Sequence, residues 1–435
     1  MSAGGGPEHP VVIAPFESRF WSIPEGVRLV ESAGASPGAT WPAGFVGGGV
    51  VAGLKESKRP DMGVLAVAPE WRQGATSAAV FTTNAFAAAP VVLDREECDL
   101  GALVAVVMNS ANANACTGAP GLAIARAMQR SCAGVLGVPA ATVAVCSTGI
   151  IGVQLDEAVV AAGAQKAAAA VHPDGGPDFN RAIMTTDRFP KICALDVDTV
   201  DGPIRLGVCA KGAGMISPAM ATMLCVATTD AVVSSDDMRT LLGKAVDRSF
   251  NRITVDGEMS TNDSVLFVSS GASGVRLTGA GLEQMGAALE SMLTRIALMM
   301  VADGEGASKI MRLRVEGAET EASAIAVARA IAGSPLVKTA MHGEDPNWGR
   351  IISSAGASMA GRSLPKAALR LCGVKVVEDG AACVVSEAGR AKMVAAMKRP
   401  EIDIWLDLGL GTSSTELFFA DMGHEYITIN AEYHT

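Results

Sequence analysis

The stretch from Lys211 to Leu224 reads KGAGMISPAMATML, and its last two residues begin the apolar run MLCVATTDA. A Gly-rich segment and Pro218 precede Thr222, which stands at the head of a predicted buried strand. If the Ala221–Thr222 bond is cut, Thr222 carries both a hydroxyl and its own α-amino group. The pKa of such an amine is about 8, so it can accept the hydroxyl proton. The order of residues therefore predicts a cleavage site followed by a nucleophile, although by residue type alone a simple turn before a strand is the commoner outcome.

The composition is that of a layered α/β protein. The chain has 435 residues, of which 49% are hydrophobic, 18% charged and 4% aromatic. Such a chain is long enough for a large core and too apolar for a disordered one. The net charge of −10 argues against a nucleic-acid partner, because phosphate backbones are bound by basic surfaces.

Nine cysteines are scattered along the chain without a CxxC pair and without histidines at metal-ligand spacing. This pattern predicts free thiols in a reducing compartment and argues against a structural metal. We find no secretory signal or membrane span, and the first forty residues contain glutamates that a transit peptide avoids. We therefore expect a cytoplasmic protein with no membrane partner and with a loose N-terminal extension over residues 1–41.

Apolar segments of strand and helix length alternate along the chain and favour mixed α/β layers. The alternation of apolar and polar residues within the strands is weak, which indicates strands covered on both faces. Predicted strands are Met62–Val67, Ala78–Thr83, Leu103–Met108, Thr142–Cys146, Lys191–Val200, Ile204–Ala210, Val265–Ser269 and Lys309–Val315. Predicted helices are Leu122–Leu136, Asp156–Val171, Asp236–Ser249 with Ser235 as N-cap, Leu282–Val301 and Ala322–Ile331.

Two polar loops are candidates for function, each with a structural alternative. Thr148-Gly149 follows a predicted strand, where exposed amides can face an anion, but sequence alone favours a strand-end turn. The run His342–Arg350 (HGEDPNWGR) combines a base, acids, an amide and an arginine, yet its Trp and Arg are equally suited to fixing the turn against a neighbouring layer.

Several motifs occur in a fixed order beside KGAGMISPAMATML. They are CSTGIIG at 146–152, MTTD at 184–187, VDGEMSTNDS at 255–264, VADGEG at 301–306, GEDPNWGR at 343–350 and the ending INAEYHT at 429–435. Together the chain resembles the arginine-biosynthesis ornithine acetyltransferases, also called glutamate N-acetyltransferases, from about Pro42 to its last residue. Departures are small: KGAGM stands where many members have KGSGM, and the segment 412–422 is less typical of the family.

The resemblance implies an N-terminal-nucleophile-like αββα sandwich that cleaves itself between Ala221 and Thr222. Residues 42–221 are then the α chain and residues 222–435 the β chain, and the two are expected to remain together as an α2β2 heterotetramer. The implied reaction moves acetyl from N-acetylornithine to glutamate through an acetyl-threonine at Thr222. No cofactor is implied, and acetyl-CoA is a possible co-substrate; no residue decides whether it is used.

The resemblance also implies roles for individual residues. Thr148 and Gly149 correspond to the family's oxyanion hole. Substrate contacts correspond to Thr185, Lys211, Thr222, Glu305, Asn430 and Thr435. Lys211 is suited to the substrate α-carboxylate and Glu305 to the ornithine ammonium, although outside the family each reads as an ordinary polar side chain.

Two other functions remain open on the sequence. One is an N-terminal-nucleophile amidohydrolase or aminopeptidase, in which water replaces glutamate as the acyl acceptor. The other is a non-catalytic binding protein on the same scaffold.

Overall fold

The computed structural model describes residues 16–31, 36–217 and 223–432. The strands are β1 Val27–Leu29, β2 Phe45–Val50, β3 Met62–Val67, β4 Thr76–Phe81, β5 Ala105–Asn109, β6 Val143–Ser147, β7 Lys191–Thr199, β8 Gly202–Lys211, β9 Leu224–Thr229, β10 Ile253–Thr254, β11 Ser264–Ser269, β12 Ile310–Ala318, β13 Ala368–Leu371, β14 Val374–Glu378, β15 Ala381–Ala382, β16 Glu401–Asp407 and β17 Ser413–Ala420. The helices are α1 Ala89–Glu97, α2 Gly118–Leu136, α3 Glu157–Ala169, α4 Gly176–Ile183, α5 Ser235–Arg248, α6 Gly279–Ala302, α7 Glu321–Ala332, α8 Pro335–His342, α9 Trp348–Ser358, α10 Glu387–Met397 and α11 His424–Glu432.

Two sheets stack face to face to form the centre of the protein. One has six strands in the order β1-β7-β8-β9-β11-β4, and the other has four in the order β2-β3-β5-β6. Leu65 and Val106 of the smaller sheet join Val226 and Leu266 of the larger one in a single buried cluster. Helices α2 and α3 pack on the outer face of the smaller sheet, and α5 and α6 pack on the outer face of the larger one. The predicted mixed α/β class and the αββα sandwich are confirmed.

Strands of the sandwich are buried on both faces, as their weak alternation predicted. Every residue of β3, β9 and β11 is buried. On β3, the side chain of Leu65 packs in the cluster between the sheets while Val64 and Ala66 pack in the cluster with α2 and α3. A continuous apolar run is therefore the sequence signature of these strands.

The strand register gathers several motifs at one end of the sandwich. Leu224, the first residue of β9, pairs with Lys211 at the end of β8 and with Ser264 at the start of β11. In the smaller sheet, β5 and β6 run parallel, with Asn109 opposite Ser147 at their ends. The loop after β8 and the loops before β9 and β11 therefore lie at one edge of the larger sheet, and the loops after β5 and β6 lie at one edge of the smaller sheet.

A third sheet forms a C-terminal unit. Its seven strands have the order β10-β17-β12-β16-β13-β14-β15. Helices α7, α8, α9 and α10 bury their apolar residues against it in a separate core. After β17 the chain enters α11, which returns toward the sandwich.

Helix α6 is long and apolar enough to cross a membrane, and α7 with α8 passes the same test as a pair bent by 57°. In α6, 67% of the most apolar window is buried inside the protein, where residues such as Leu289 and Leu293 pack on the six-stranded sheet. This burial is that of a core helix.

The prediction of a loose segment before residue 42 is wrong for the described residues. Strand β1 pairs with β7 at the sheet edge, with Val27 opposite Val197. The Phe20 ring lies 5.8 Å from that of Phe418, and Trp21 donates through Nε1 to the Ser291 carbonyl at 2.9 Å. Residues 16–31 are ordered because their aromatic side chains pack against the rest of the protein. Residues 1–15 lie outside the described part.

The N-cap of α5 is Ser234 rather than the predicted Ser235. The Ser234 hydroxyl accepts from the Asp237 amide at 3.2 Å. Both serines suit a cap, so the choice between them depends on where the preceding strand and loop place the chain.

Candidate active site

A cavity of about 160 Å³ opens at the end of the sandwich where the strand register gathers the motifs. It is lined by Ala113, Thr148, Gly149, Ile151, Thr185, Thr186, Lys211, Gly214, Met215, Ser260, Thr261, Asn262, Glu305 and Asn430. The predicted site residues Thr148, Gly149, Thr185, Lys211, Glu305 and Asn430 are thus together. The predicted Ala221, Thr222 and Thr435 lie outside the described residues.

Gly149 occupies a position that only glycine fits. Its φ is +130°, and a Cβ there would lie 2.1 Å from the carbonyl carbon of Ala111. The flanking amides of Thr148 and Ile150 donate to the carbonyls of Asn109 and Ala111 at 3.0 and 3.1 Å. Among the described residues the Gly149 amide has no acceptor, so it remains available to a ligand in the cavity.

The Thr148 hydroxyl is held by a buried lysine. Lys211 Nζ donates to Thr148 Oγ1 at 2.8 Å, and Lys211 is only 3% exposed. Because the oxygen accepts from an ammonium, its own proton is free to point at another acceptor. Burial lowers the pKa of Lys211, while the nearby Asp187 carboxylate opposes that shift.

Glu305 also lines the cavity and contacts three other segments there. Its carboxylate accepts from Thr186 Oγ1 at 2.8 Å and from Asn430 Nδ2 at 2.9 Å. A Cβ at Gly214 would lie 2.5 Å from the Glu305 carboxyl carbon, so the glycine of the KGAGM segment is needed for this close approach. Helix α11 supplies Asn430 and so brings the C-terminal segment to the cavity.

Carboxylates from VDGEMSTNDS hold both sides of the segment 217–222. Asp256 accepts from the amides of Met215 and Ile216 at 2.7 and 2.8 Å. Asp263 accepts from the Met223 amide at 2.9 Å. Burial raises the pKa of both carboxyl groups. One motif therefore fixes the chain at Ile216, five residues before Ala221, and at Met223, directly after the predicted cleavage site.

A buried ion network lies behind the cavity wall. Lys191 is fully buried, and its Nζ donates to Asp187 and to Asp303 at 2.6 Å each. Burial by itself would raise the pKa of Asp187, but Lys191 and Lys211 lower it well below its usual range. The Arg188 guanidinium also pairs with Asp303, at 2.8 Å.

The sequence profile described as the ArgJ family matches residues 47–435. The chain belongs to the ArgJ family. The "Arginine biosynthesis bifunctional protein ArgJ" of Nitratidesulfovibrio vulgaris is 43% identical over 393 residues, which cover 90% of this chain and 98% of that protein. The protein of the same name from Symbiobacterium thermophilum is 41% identical and covers 92% and 98% of the two chains. The family resemblance inferred from the motifs is confirmed.

Solved structures of family members also match parts of the chain. The argJ crystal structure from Bacillus halodurans is 31% identical with a TM-score of 0.44, over 47% of this chain and 97% of that one. The ornithine acetyltransferase of Mycobacterium tuberculosis complexed with ornithine is 36% identical with a TM-score of 0.39, over 46% and 100%.

Not every family motif reaches the cavity. In GEDPNWGR, Arg350 donates through Nη1 to the Leu336 carbonyl at 2.7 Å, which ties α9 to α8. His342 Nδ1 lies 2.8 Å from Asp421, and Trp348 packs against the core of the C-terminal unit. The structure therefore favours the alternative in which this run fixes a turn against a neighbouring layer.

Several residues at the site were not predicted. The sequence assigned no role to five charged residues that lie in or beside the family motifs, namely Asp187, Lys191, Asp256, Asp263 and Asp303. The available signal was a charged residue next to an apolar strand, as in Lys191-Ile192-Cys193. That signal does not distinguish a solvated strand end from a buried ion pair.

Proposed function

We propose that this ArgJ-family enzyme transfers acetyl from N-acetylornithine to glutamate through an acetyl ester on Thr222. The observation that carries the proposal is the single cavity that collects Thr148, Gly149, Lys211 and Glu305 beside the start of β9. Residue 222 is one peptide bond from Met223, whose amide is fixed by Asp263. The nucleophile, the oxyanion donors and the polar substrate contacts are thereby assigned to one end of the sandwich.

Maturation comes first in this proposal. The Thr222 hydroxyl attacks the Ala221 carbonyl, the acyl group shifts from nitrogen to oxygen, and water hydrolyses the ester. The products are an α chain ending at Ala221 and a β chain whose first residue, Thr222, has a free amine. The Asp256 and Asp263 carboxylates support this step because they restrain the chain on both sides of the bond.

Acetyl transfer then uses that amine as the base. Thr222 Oγ attacks the acetyl carbonyl, a tetrahedral oxyanion forms, and the C–N bond breaks as ornithine leaves with a proton from the Thr222 ammonium. Glutamate's amine attacks the ester and reverses these steps, giving N-acetylglutamate. The Thr148 hydroxyl and the Gly149 amide are assigned as oxyanion donors, each worth about 3–4 kcal/mol of transition-state stabilisation.

The substrate contacts follow from charge. Glu305 is assigned to the ornithine side-chain ammonium, and Lys211 to the substrate α-carboxylate in addition to its bond with Thr148. Thr185, Asn430 and Thr435 are assigned as polar contacts. Both amino-acid substrates share an α-amino-acid head, so one cavity can accept them in turn.

The remaining assignments belong to the same proposal. The α and β chains remain together as an α2β2 heterotetramer in the cytoplasm, and no resident cofactor takes part. Acetyl-CoA is a candidate second acetyl donor. All nine cysteines are free thiols, which fits a reducing compartment.

Product analysis separates this function from that of a hydrolase. Purified enzyme with N-acetylornithine is expected to release ornithine quickly only when glutamate is present, and to form N-acetylglutamate in equal amount. Ornithine release that ignores glutamate contradicts the transferase and supports an amidohydrolase. A single uncut band on a denaturing gel, with no turnover, supports a non-catalytic binding protein.

A further inference from the structure

Three segments that line the cavity meet at one buried ammonium group outside it. Lys191 stands at the first position of β7 and is 0% exposed. Its Nζ donates to Asp187 Oδ1, to Asp303 Oδ2 and, at 3.4 Å, to the Phe189 carbonyl. All three protons of the ammonium therefore have acceptors, and the group is fixed in direction.

The Asp187 carboxylate connects the Lys191 ammonium to the backbone of two of these segments. Its Oδ2 accepts from the Thr185 amide at 2.9 Å, and its Oδ1 accepts from the Gly212 amide at 2.8 Å. Thr185 lines the cavity, and Gly212 directly follows Lys211, which also lines it. One carboxylate thus sets the backbone beside two proposed substrate contacts.

The Asp303 carboxylate connects the Lys191 ammonium to the third segment. Asp303 is the C-cap of α6 and opens the loop that carries Glu305 two residues later. The Glu305 amide in turn donates to the Ala213 carbonyl at 3.1 Å, which closes the connection back to the KGAGM segment. The Asp303 side chain is 0% exposed, so water does not replace these contacts.

We infer that Lys191 is a positioning residue that sets the distance between the carboxylate-binding and ammonium-binding sides of the substrate pocket. This inference rests on the proposed function, because it concerns an α-amino-acid ligand with charged groups at both ends. A buried ion pair is a costly way to stabilise a fold and is better suited to specifying one arrangement of its partners. Here those partners are Asp187 and Asp303, which hold the loops that carry Lys211 and Glu305.

Calorimetric titration of the matured full-length enzyme with ornithine tests the inference. Lys191→Met is expected to weaken ornithine binding by at least about tenfold and to raise the KM for N-acetylornithine similarly, since small displacements of binding groups are costly. Lys338→Met is the matched control. Lys338 is equally buried but donates to the Ala420 carbonyl in the C-terminal unit. The carboxylates that its charge acts on are Asp256 and Asp421 rather than Asp187 and Asp303, and it hydrogen-bonds to neither, so its loss should leave ornithine affinity unchanged.

The outcomes are distinct. Wild-type enzyme that binds no ornithine overturns the proposed function and this inference with it. Binding by the wild type with equal affinity in Lys191→Met overturns only the inference, as does an equal loss of affinity in Lys338→Met. If Lys191→Met does not fold, Asp303→Asn keeps Lys191 paired with Asp187, and it too is expected to weaken ornithine binding; unchanged affinity in that variant overturns the inference.

Discussion

The pocket end of the sandwich and the C-terminal unit each bury a whole lysine side chain, but with different partners. Lys191 lies between two carboxylates that come from separate loops. Lys338 donates to the Ala420 carbonyl and lies 5.6 Å from the Phe419 ring centre. The first arrangement fixes loops that line a cavity, whereas the second fixes a helix to a strand. Burial of a charge therefore does not by itself indicate function. The indication comes from the segments that its partners hold in place.

The largest expected difference between the two regions concerns Thr222. Thr222→Ala should abolish both the cut and acetyl transfer, because the hydroxyl is the nucleophile of both steps. Lys338→Met should be cut and fully active. A denaturing gel and an acetyl-transfer assay measure these outcomes, and a cleaved Thr222→Ala variant contradicts the assignment of the nucleophile.

Next in size is the oxyanion hole. Thr148→Ala should lower kcat by about 10²–10³-fold, since one donor to the developing oxyanion is lost. Its effect on KM should be much smaller, because the donor acts mainly in the transition state. Steady-state kinetics on the matured enzyme give both constants. A raised KM with unchanged kcat would reassign Thr148 to ground-state binding.

The two lysines should also differ in stability. Lys191→Met leaves Asp187 and Asp303 buried with one fewer cation and should lower the free energy of unfolding by about 3–5 kcal/mol. Lys338→Met leaves the Ala420 carbonyl without its donor and removes a charge that acts on Asp256 and Asp421 without hydrogen-bonding to them, a change worth about 1–3 kcal/mol. Denaturant unfolding at neutral pH measures both, and equal losses would mean that the carboxylates around Lys191 are not decisive.

A further expected effect is a pH dependence of stability that comes from the C-terminal unit. Burial lowers the pKa of Lys338 to about 8 from its ordinary 10.5. Between these values the unfolded chain binds more protons than the folded one, so the Lys338 contribution to stability rises with pH, by up to about 3 kcal/mol. Burial raises the pKa of cysteines such as Cys209 and Cys225, which lowers stability with rising pH in both proteins. The Lys338 contribution is therefore the difference between the wild type and Lys338→Met, which should grow in favour of the wild type when unfolding is measured from pH 8 to 10.5. Parallel pH profiles contradict the assigned pKa.

The sequence predicted the strands of the sandwich well because they are continuous apolar runs. Strand β3 has the predicted bounds, and β11 begins one residue earlier than expected. The cavity residues Thr148, Lys211 and Glu305 were also predicted, but through family motifs rather than through their local patterns. Their spatial meeting depends on strand register, which a single sequence does not encode locally.

What sequence reasoning missed depends on partners far apart in the chain. The Lys191–Asp303 contact joins residues 112 positions apart, and nothing next to Lys191 marks it as buried. The ordered structure of residues 16–31 was missed for the same reason, since Phe20 and Trp21 contact Phe418 and Ser291, which are far away in the sequence. Only the folded structure brings such partners together.

The central claim is that acetyl passes through Thr222 on its way between two amino acids. Mass measurement of the β chain tests it most directly, after matured enzyme is mixed with N-acetylornithine alone and then with glutamate. We predict a β chain heavier by one acetyl group, located on Thr222, which glutamate removes as N-acetylglutamate. A β chain that never gains the acetyl group, or loses it to water at the same rate without glutamate, would contradict the claim.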